Sequence, residues 1–134
     1  MVTPIRARQR AAFVDSSALI SLVDRDDITH RAAVDAYESL KLDGYRLFTS
    51  NHMVTEAYDI LAGSHGHEIA RTWLDHMELP VYVADSGDLE QARDRVLSSR
   101  NALNLNDALS VVIMQRLGVE DAFAVDPDFL AALD

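Results

Sequence analysis

The 134-residue sequence contains no cysteine, only 3 prolines and 5 glycines, and no long apolar run. The absence of cysteine excludes disulfide bonds and thiolate metal ligands and suits a reducing compartment, so we expect a cytoplasmic protein. No apolar run approaches the roughly 20 residues that a membrane-spanning helix needs, so no membrane association is expected. Residues 1–10 carry three arginines without an apolar stretch after them, which predicts a basic, mobile tail and not a secretory signal.

Basic residues are scarce compared with acidic ones. The chain has 22 Asp and Glu against 12 Lys and Arg, which gives a formal net charge of −10. Such a charge excludes nucleic-acid binding through a broad basic face. A nucleic-acid enzyme of this charge would need metal ions to offset phosphate repulsion, or a basic partner. Most of the acids are expected to be solvated, and some to be gathered around cations.

The hydrophobic content of 49% is that of an ordinary globular protein, and it predicts one domain over residues 11–134. Its organising segment is a short apolar run, 11–14, which reads as a strand buried on both faces. From Ser16 the apolar residues fall at helical spacing. Asp15 therefore lies at the carboxyl end of a strand, where open α/β sheets hold ligands, although a plain helix-capping role would also explain it.

Short strands alternate with helices along the rest of the chain. Further strands are predicted at 45–49, 80–83 and 122–125, and helices between them are expected to turn Ile69, Leu74 and Leu89 inward. This alternation predicts an α/β fold with a central, mostly parallel sheet of four or five short strands. The carboxyl ends of parallel strands meet at one edge, so Asp15 and Asp126 are expected to lie there together.

Asp107 begins a helix over 107–117 whose apolar residues cover nearly the whole circumference. An acid at the start of a buried helix is costly unless it is paired, hydrogen-bonded or bound to a cation. The alternative is that the helix dipole favours Asp107 in the first turn, with Asn106 as the cap. We weigh the functional role somewhat above the structural one.

Three more acids are candidates for the same site. Glu56 falls about 40° outside the apolar arc of its helix at 100° per residue, so it can reach from the core margin toward a cleft, or be an ordinary boundary glutamate. Asp126 and Asp128 flank Pro127 at a helix start, where capping explains one of them. We assign Asp126 to the cleft and Asp128 an auxiliary role.

Carboxylates that converge at one sheet edge repel each other unless a cation lies between them. Mg²⁺, with Mn²⁺ as the alternative, prefers carboxylate and water oxygens. Such ions activate water and stabilise the leaving oxygen in phosphodiester cleavage. An acidic site of this kind is compatible with cleavage of phosphodiesters by metal-activated water. Ser16 and Ser17 could orient Asp15 by hydrogen bonds, although starting the helix explains Ser16 equally well.

Four segments, taken together, closely resemble the PIN-domain family, and more specifically VapC-type toxin ribonucleases, in order and spacing: Val14-Asp15-Ser16-Ser17-Ala18-Leu19, Thr55-Glu56, Asn106-Asp107-Ala108-Leu109 and Val125-Asp126-Pro127-Asp128-Phe129. The resemblance implies a three-layer α/β/α fold and Mg²⁺- or Mn²⁺-dependent cleavage of RNA. It matches the family's catalytic and metal-binding acids to Asp15, Glu56, Asp107 and Asp126, and its small polar residue to Ser17. It also implies a homodimer, and a cognate VapB-like antitoxin clamped by the helices around Glu56 and Trp73.

Two positions depart from the family pattern. Asn104-Leu105-Asn106 precedes Asp107 where the family often has Ser or Thr, and Ala124 stands two places before Asp126 where it often has Thr. Neither departure removes a metal ligand. Two other functions remain open: an RNA-maturation nuclease of the same fold without an antitoxin, and an inactive PIN-like module that only binds a protein partner.

Overall fold

A computed structural model describes residues 10–100 and 103–133. The predicted basic tail lies outside this part of the chain, except for Arg10. The strands are β1 (Ala11–Val14), β2 (Arg46–Ser50), β3 (Val81–Tyr82) and β4 (Asp121–Phe123). The helices are α1 (Ser16–Val23), α2 (His30–Leu42), α3 (Asn51–His65), α4 (His67–His76), α5 (Ser86–Ser98), α6 (Leu105–Leu117) and α7 (Pro127–Ala132).

The four described strands form one parallel sheet in the order β3-β2-β1-β4. Strand β1 lies inside the sheet, with Phe13 opposite Phe48 of β2 on one side and opposite Ala122 of β4 on the other. Its last three residues are buried, as expected for a strand covered on both faces. The predicted parallel sheet is therefore confirmed, and the carboxyl ends of its strands share one edge.

Two apolar clusters cover the sheet. The larger one gathers β1 with residues of α1, α2, α3 and α7, and its aromatic centre is Phe13, whose ring lies 5.6 Å from Phe48 and 6.3 Å from Phe129. The smaller one joins α5 and α6 against Phe48 and Tyr82. Helices thus flank the sheet, which confirms the predicted three-layer α/β/α arrangement.

Helix α6 is buried without interruption from Ala108 to Met114, as its apolar circumference predicts. Helices α4 and α5 differ from expectation, since Ile69, Leu74 and Leu89 are all nearly half exposed. In each helix the fully buried apolar residue is an alanine, Ala70 or Ala92. A small side chain at the contact lets two helices approach closely, so only a narrow stripe is covered and the larger residues beside it stay outside.

Helix starts follow the expected capping chemistry with one correction. Asp15 caps α1 and Ser50 caps α3 through side-chain oxygens that accept backbone N–H groups. Helix α6, however, begins two residues earlier than predicted, because Asn104 and not Asn106 is its cap. The Asn106 side chain makes a different contact, described below. Within residues 10–100 and 103–133, no helix combines the length and apolarity needed to cross a membrane.

Candidate active site

Asp15 lies immediately after β1 and is only 3% exposed. Its backbone N–H donates to the carbonyl of Phe123, at 2.9 Å, which continues the ladder between β1 and β4. Its carboxylate turns back over the first turn of α1, where Oδ2 accepts the Ser17 N–H at 3.0 Å. Asp15 is therefore the N-cap of α1, as the capping interpretation predicts. Capping alone does not explain why the carboxylate is buried.

The Ser17 hydroxyl joins Asp15 to the segment after β4. It donates to Asp15 Oδ2 at 2.6 Å and accepts the N–H groups of Val125 and Asp126 at 3.1 and 3.2 Å. Because these N–H groups bond a side chain, they do not extend the sheet, and β4 ends at Phe123 and not at Val125 as predicted. Asp126 nevertheless reaches the same edge, held there by Ser17.

The carboxylates of Asp15 and Asp126 are close enough to influence each other. Burial raises the pKa of Asp15 above its ordinary value of 3.8, and the charge of Asp126 raises it further. The hydrogen bonds from Ser17 oppose this shift without cancelling it. A buried carboxylate beside a second one favours either a proton or a cation between them.

Glu56 approaches this edge from the first half of α3. Its Oε2 accepts the Ser16 hydroxyl at 3.1 Å and the side-chain N–H of Asn106. Ser16 in turn follows Asp15 directly, so the first turn of α1 contacts both acids through consecutive serines. Glu56 was predicted to reach from the core margin toward a cleft, and these contacts show that its carboxylate meets polar groups of α1 and α6.

Asp107 lies in the first turn of α6 and is half-buried, next to the Asn106 whose amide bonds Glu56. The described contacts thus connect Asp15 to Asp126 through Ser17, and Glu56 to Asn106, the residue before Asp107. Among the residues it describes, no three His, Asp or Glu side chains lie close enough together to hold one metal ion. The side chain of Asp128 lies outside the described part of the chain.

The chemistry of the edge fits a hard divalent cation. Its donors are carboxylate and hydroxyl oxygens, which Mg²⁺ and Mn²⁺ prefer, and the sequence has no thiolate that would favour a softer metal. Burial, and after it the charge of Asp126, raises the pKa of Asp15, and a cation at this edge would oppose both effects. Of the four acids predicted to share such an ion, Asp15 lies beside Asp126, and Glu56 is connected to the same turn of α1 through Ser16.

Sequence reasoning missed two contributions to this edge. Ser16 was expected to orient Asp15 or start a helix, whereas its hydroxyl bonds Glu56, 40 positions away. Asn106 was considered only as the cap that the alternative interpretation of Asp107 would need, whereas Asn104 is the cap and the Asn106 amide bonds Glu56. The signal available in the sequence was chemical: two polar residues, each adjacent to a predicted site acid, on helices that otherwise pack into the core.

Comparison with known proteins identifies the family and supports the fold. The sequence matches the PIN domain family over residues 12–132, a span that contains all four acids. The fold is similar to the crystal structure of VapC20 of Mycobacterium tuberculosis, named as a toxin that cleaves the sarcin–ricin loop, with a TM-score of 0.78 and 26% sequence identity. The similarity covers 90% of this chain and 94% of VapC20. No curated protein matches the sequence.

Proposed function

Because this chain belongs to the PIN domain family, we propose that it is a metal-dependent endoribonuclease and the toxin of a VapBC-type toxin–antitoxin pair. One observation carries the proposal: a buried carboxylate, Asp15, shares the carboxyl edge of the sheet with Asp126, and one hydroxyl connects them. A purely structural cap at Asp15 would not require a second acid beside it. The similarity to a ribonuclease toxin supports RNA as the substrate.

In this proposal Asp15, Glu56, Asp107 and Asp126 hold Mg²⁺, or Mn²⁺ as the alternative, and are the catalytic residues. When bound, the ion would lower the pKa of a coordinated water and stabilise charge on the phosphate. The protein's own contribution is orientation. Ser17 fixes Asp15 Oδ2 with two hydrogen bonds, and Ser16 and Asn106 together fix one oxygen of Glu56.

The net charge of −10 makes RNA binding depend on those ions. Phosphates approaching an edge with four acids are repelled unless cations offset the charge, and the repulsion weakens as salt screens it. We therefore expect weak RNA binding in the presence of a chelator and stronger binding when Mg²⁺ or Mn²⁺ is added. A protein that binds RNA through a basic face would show the opposite dependence, because its binding weakens as salt is added.

Cleavage of defined RNAs tests the proposal. Since VapC20 is named for the sarcin–ricin loop, a hairpin of that loop is the first substrate, and an unrelated hairpin and total RNA are the others. We expect cleavage with Mg²⁺ or Mn²⁺, none with a chelator, and loss of cleavage in Asp15→Asn. Full activity of Asp15→Asn, or cleavage that persists in the chelator, would overturn the assignment.

We place the antitoxin contact beside α4, where an apolar cavity of about 490 Å³ opens between α1 and α4. Its apolar walls are Val23, Ile69, Trp73 and Met77, and Ile69 is 45% exposed. Exposed apolar residues around a concavity are typical of protein contact sites. Helix α4 packs along α3, which carries Glu56, and we propose that the bound antitoxin extends from this cavity toward the candidate site.

The sole tryptophan of the chain, Trp73, reports on that contact. We expect the small protein encoded next to this gene to shift its fluorescence and to stop RNA cleavage. Ile69→Lys should abolish both effects and leave cleavage intact. Inhibition unchanged in Ile69→Lys would place the antitoxin elsewhere, and cleavage that no adjacent gene product inhibits would favour an RNA-maturation nuclease.

We also propose that the toxin is a homodimer, as the resemblance to its family implies. Sedimentation equilibrium should then give twice the 14.9 kDa chain mass. A single-chain mass at micromolar concentration and above would contradict the dimer and leave the nuclease proposal unaffected.

A further inference from the structure

His52, in the first turn of α3, uses both nitrogens of its ring. Nδ1 lies 2.5 Å from the hydroxyl of Ser50, and Nε2 lies 3.1 Å from the hydroxyl of Ser110 on α6. Ser50 and Ser110 are both fully buried, so their hydroxyls depend on protein partners. The histidine therefore bridges the cap of α3 and the middle of α6.

We assign the protons of this bridge from the hydrogen bond between Ser110 and Asn106. Ser110 donates its hydroxyl proton to the carbonyl oxygen of Asn106 at 3.2 Å, so toward His52 it must accept. Nε2 of His52 then carries the ring proton, and Nδ1 accepts from Ser50. Ser50 retains its lone pairs for the Met53 N–H that it caps at 3.4 Å. Each hydroxyl or ring proton in this series of hydrogen bonds, from Ser50 through His52 and Ser110 to the Asn106 carbonyl, thus has an acceptor.

The ring stays neutral over the physiological range. Burial lowers the pKa of His52 to about 4, which leaves the imidazole neutral well below pH 7. A neutral ring with both nitrogens engaged is not available to transfer protons to a substrate. The contribution of His52 is therefore geometric.

The bridge ends at the candidate active site. Asn106, whose carbonyl oxygen receives the Ser110 proton, donates its side-chain N–H to Glu56 Oε2 and is followed by Asp107. His52 and Glu56 are one helical turn apart on α3. The same bridge thus fixes the first turn of α6, with Asn106 and Asp107, against the turn of α3 that carries Glu56.

We propose that His52 is a positioning residue for the metal-binding acids: through Ser110 and Asn106 it sets the orientation of Glu56 and the distance between α3 and α6. The inference rests on the proposed nuclease function. It assigns His52 a role that neither its sequence context nor the family resemblance indicated. The one signal in the sequence is that a histidine precedes the predicted ligand Glu56 by four positions.

The test compares the apparent Mn²⁺ affinity of variants, measured from the rise in melting temperature with Mn²⁺ concentration. His52→Leu removes both ring contacts, whereas His52→Gln keeps a donor toward Ser110. We expect His52→Leu to weaken Mn²⁺ binding roughly tenfold or more, as removal of groups that orient metal ligands does. His52→Gln should recover most of the affinity.

Ser21→Ala is the matched control. Ser21 is fully buried and bonds Thr29 Oγ1 at 2.6 Å, outside the bridge. Its loss should lower the melting temperature and leave Mn²⁺ affinity unchanged, which separates destabilisation from positioning. If His52→Leu does not fold, Ser110→Ala removes the acceptor of the Nε2 proton and should weaken Mn²⁺ binding in the same way.

The possible outcomes separate this inference from the proposed function. Wild-type Mn²⁺ affinity in His52→Leu or Ser110→Ala overturns the positioning role, as does an equal loss of affinity in His52→Gln and His52→Leu. If Mn²⁺ fails to stabilise even the wild-type protein, the nuclease proposal itself fails. Both proposals are supported if Mn²⁺ stabilises the wild type but not Asp15→Asn, and if Mn²⁺ binding is weakened in His52→Leu but not in His52→Gln.

Discussion

The hydroxyl oxygen of Ser17 lies 2.6 Å from Asp15 Oδ2 and 3.2 Å from the backbone nitrogen of Asp126. One atom therefore connects the two acids that follow the neighbouring strands β1 and β4. The hydroxyl donates to the Asp15 carboxylate and accepts the Asp126 N–H, so both hydrogen bonds require a hydroxyl at position 17. This contact, in addition to the sheet, fixes the backbone of Asp126 relative to the carboxylate of Asp15.

Replacing Ser17 by alanine should disconnect the two acids. The N–H groups of Val125 and Asp126 lose their acceptor, and leaving partly buried groups unpaired costs about 1–3 kcal/mol of unfolding free energy. We also expect weaker Mn²⁺ stabilisation, because Asp15 loses one of its two bonds from Ser17. Urea unfolding with and without Mn²⁺ measures both effects. Ser17→Thr keeps the hydroxyl and should restore them, and an alanine variant with unchanged Mn²⁺ stabilisation would contradict the connection.

Asp15→Asn should melt at a higher temperature than the wild type when no divalent ion is present. Asparagine caps a helix about as well as aspartate, so the cap is retained while a buried charge beside Asp126 is removed. We expect a rise of about 3 °C, equivalent to roughly 1 kcal/mol in a domain of this size. Mn²⁺ should then raise the melting temperature of the wild type and have little effect on the variant.

The control for this comparison is Asp35→Asn, which alters an exposed carboxylate on α2 that pairs with Arg31. It should leave both the metal-free melting temperature and the Mn²⁺ response unchanged. A pure capping role for Asp15 predicts equal melting temperatures for wild type and Asp15→Asn, and no Mn²⁺ response in either. That result would favour the protein-binding module over the nuclease.

The free energy of unfolding should vary with pH because the pKa of Asp15 differs between the folded and unfolded states. Burial raises its pKa above 3.8 in the folded protein, so the folded state holds the proton more tightly than the unfolded state. The resulting stabilisation is fully present below pH 3.8 and is lost as the pH rises through the raised pKa. In the metal-free protein, the stability of the wild type relative to Asp15→Asn should therefore fall as the pH rises above 3.8 and through the raised pKa of Asp15. A difference that is constant with pH would contradict the shift.

Much of the fold follows from local patterns in the sequence. The apolar run of β1 breaks at Asp15, where the period changes from that of a buried strand to that of a helix, and the structure places both boundaries as predicted. Helix α6 was recognisable because its apolar residues cover its circumference. In both cases the signal lies within a few consecutive residues, so no knowledge of distant contacts was needed.

The contacts that orient the acids could not be predicted in this way. Glu56 bonds Ser16 and Asn106, which are 40 and 50 positions away in the sequence. His52 bonds Ser110 at a separation of 58 positions. Which of several serines and asparagines meets a given acid depends on how the helices pack. That packing was itself misjudged where alanines, and not the larger apolar residues, form the contact stripe of α4 and α5.

Asp88 should be essential for stability and irrelevant to metal binding. It is fully buried at the start of α5 and accepts hydrogen bonds from Arg116 at 2.5 Å, from the Tyr82 hydroxyl at 2.9 Å and from the Asp85 N–H at 3.0 Å. Although burial raises its pKa, these bonds outweigh that effect and hold the pKa of Asp88 below the ordinary value. This cluster lies at the opposite end of α6 from Asp107.

Asp88→Ala should therefore lower the unfolding free energy by about 2 kcal/mol or more, because the Tyr82 hydroxyl and the Asp85 N–H lose their acceptor. The apparent Mn²⁺ affinity should stay at the wild-type value, since none of the four acids contacts this cluster through a described bond. Asp94→Ala, at an exposed carboxylate of the same helix, should change neither quantity. Reduced Mn²⁺ affinity in Asp88→Ala would mean that any loss of stability weakens the metal site, and the effects expected for Ser17 and His52 would then lose their specificity.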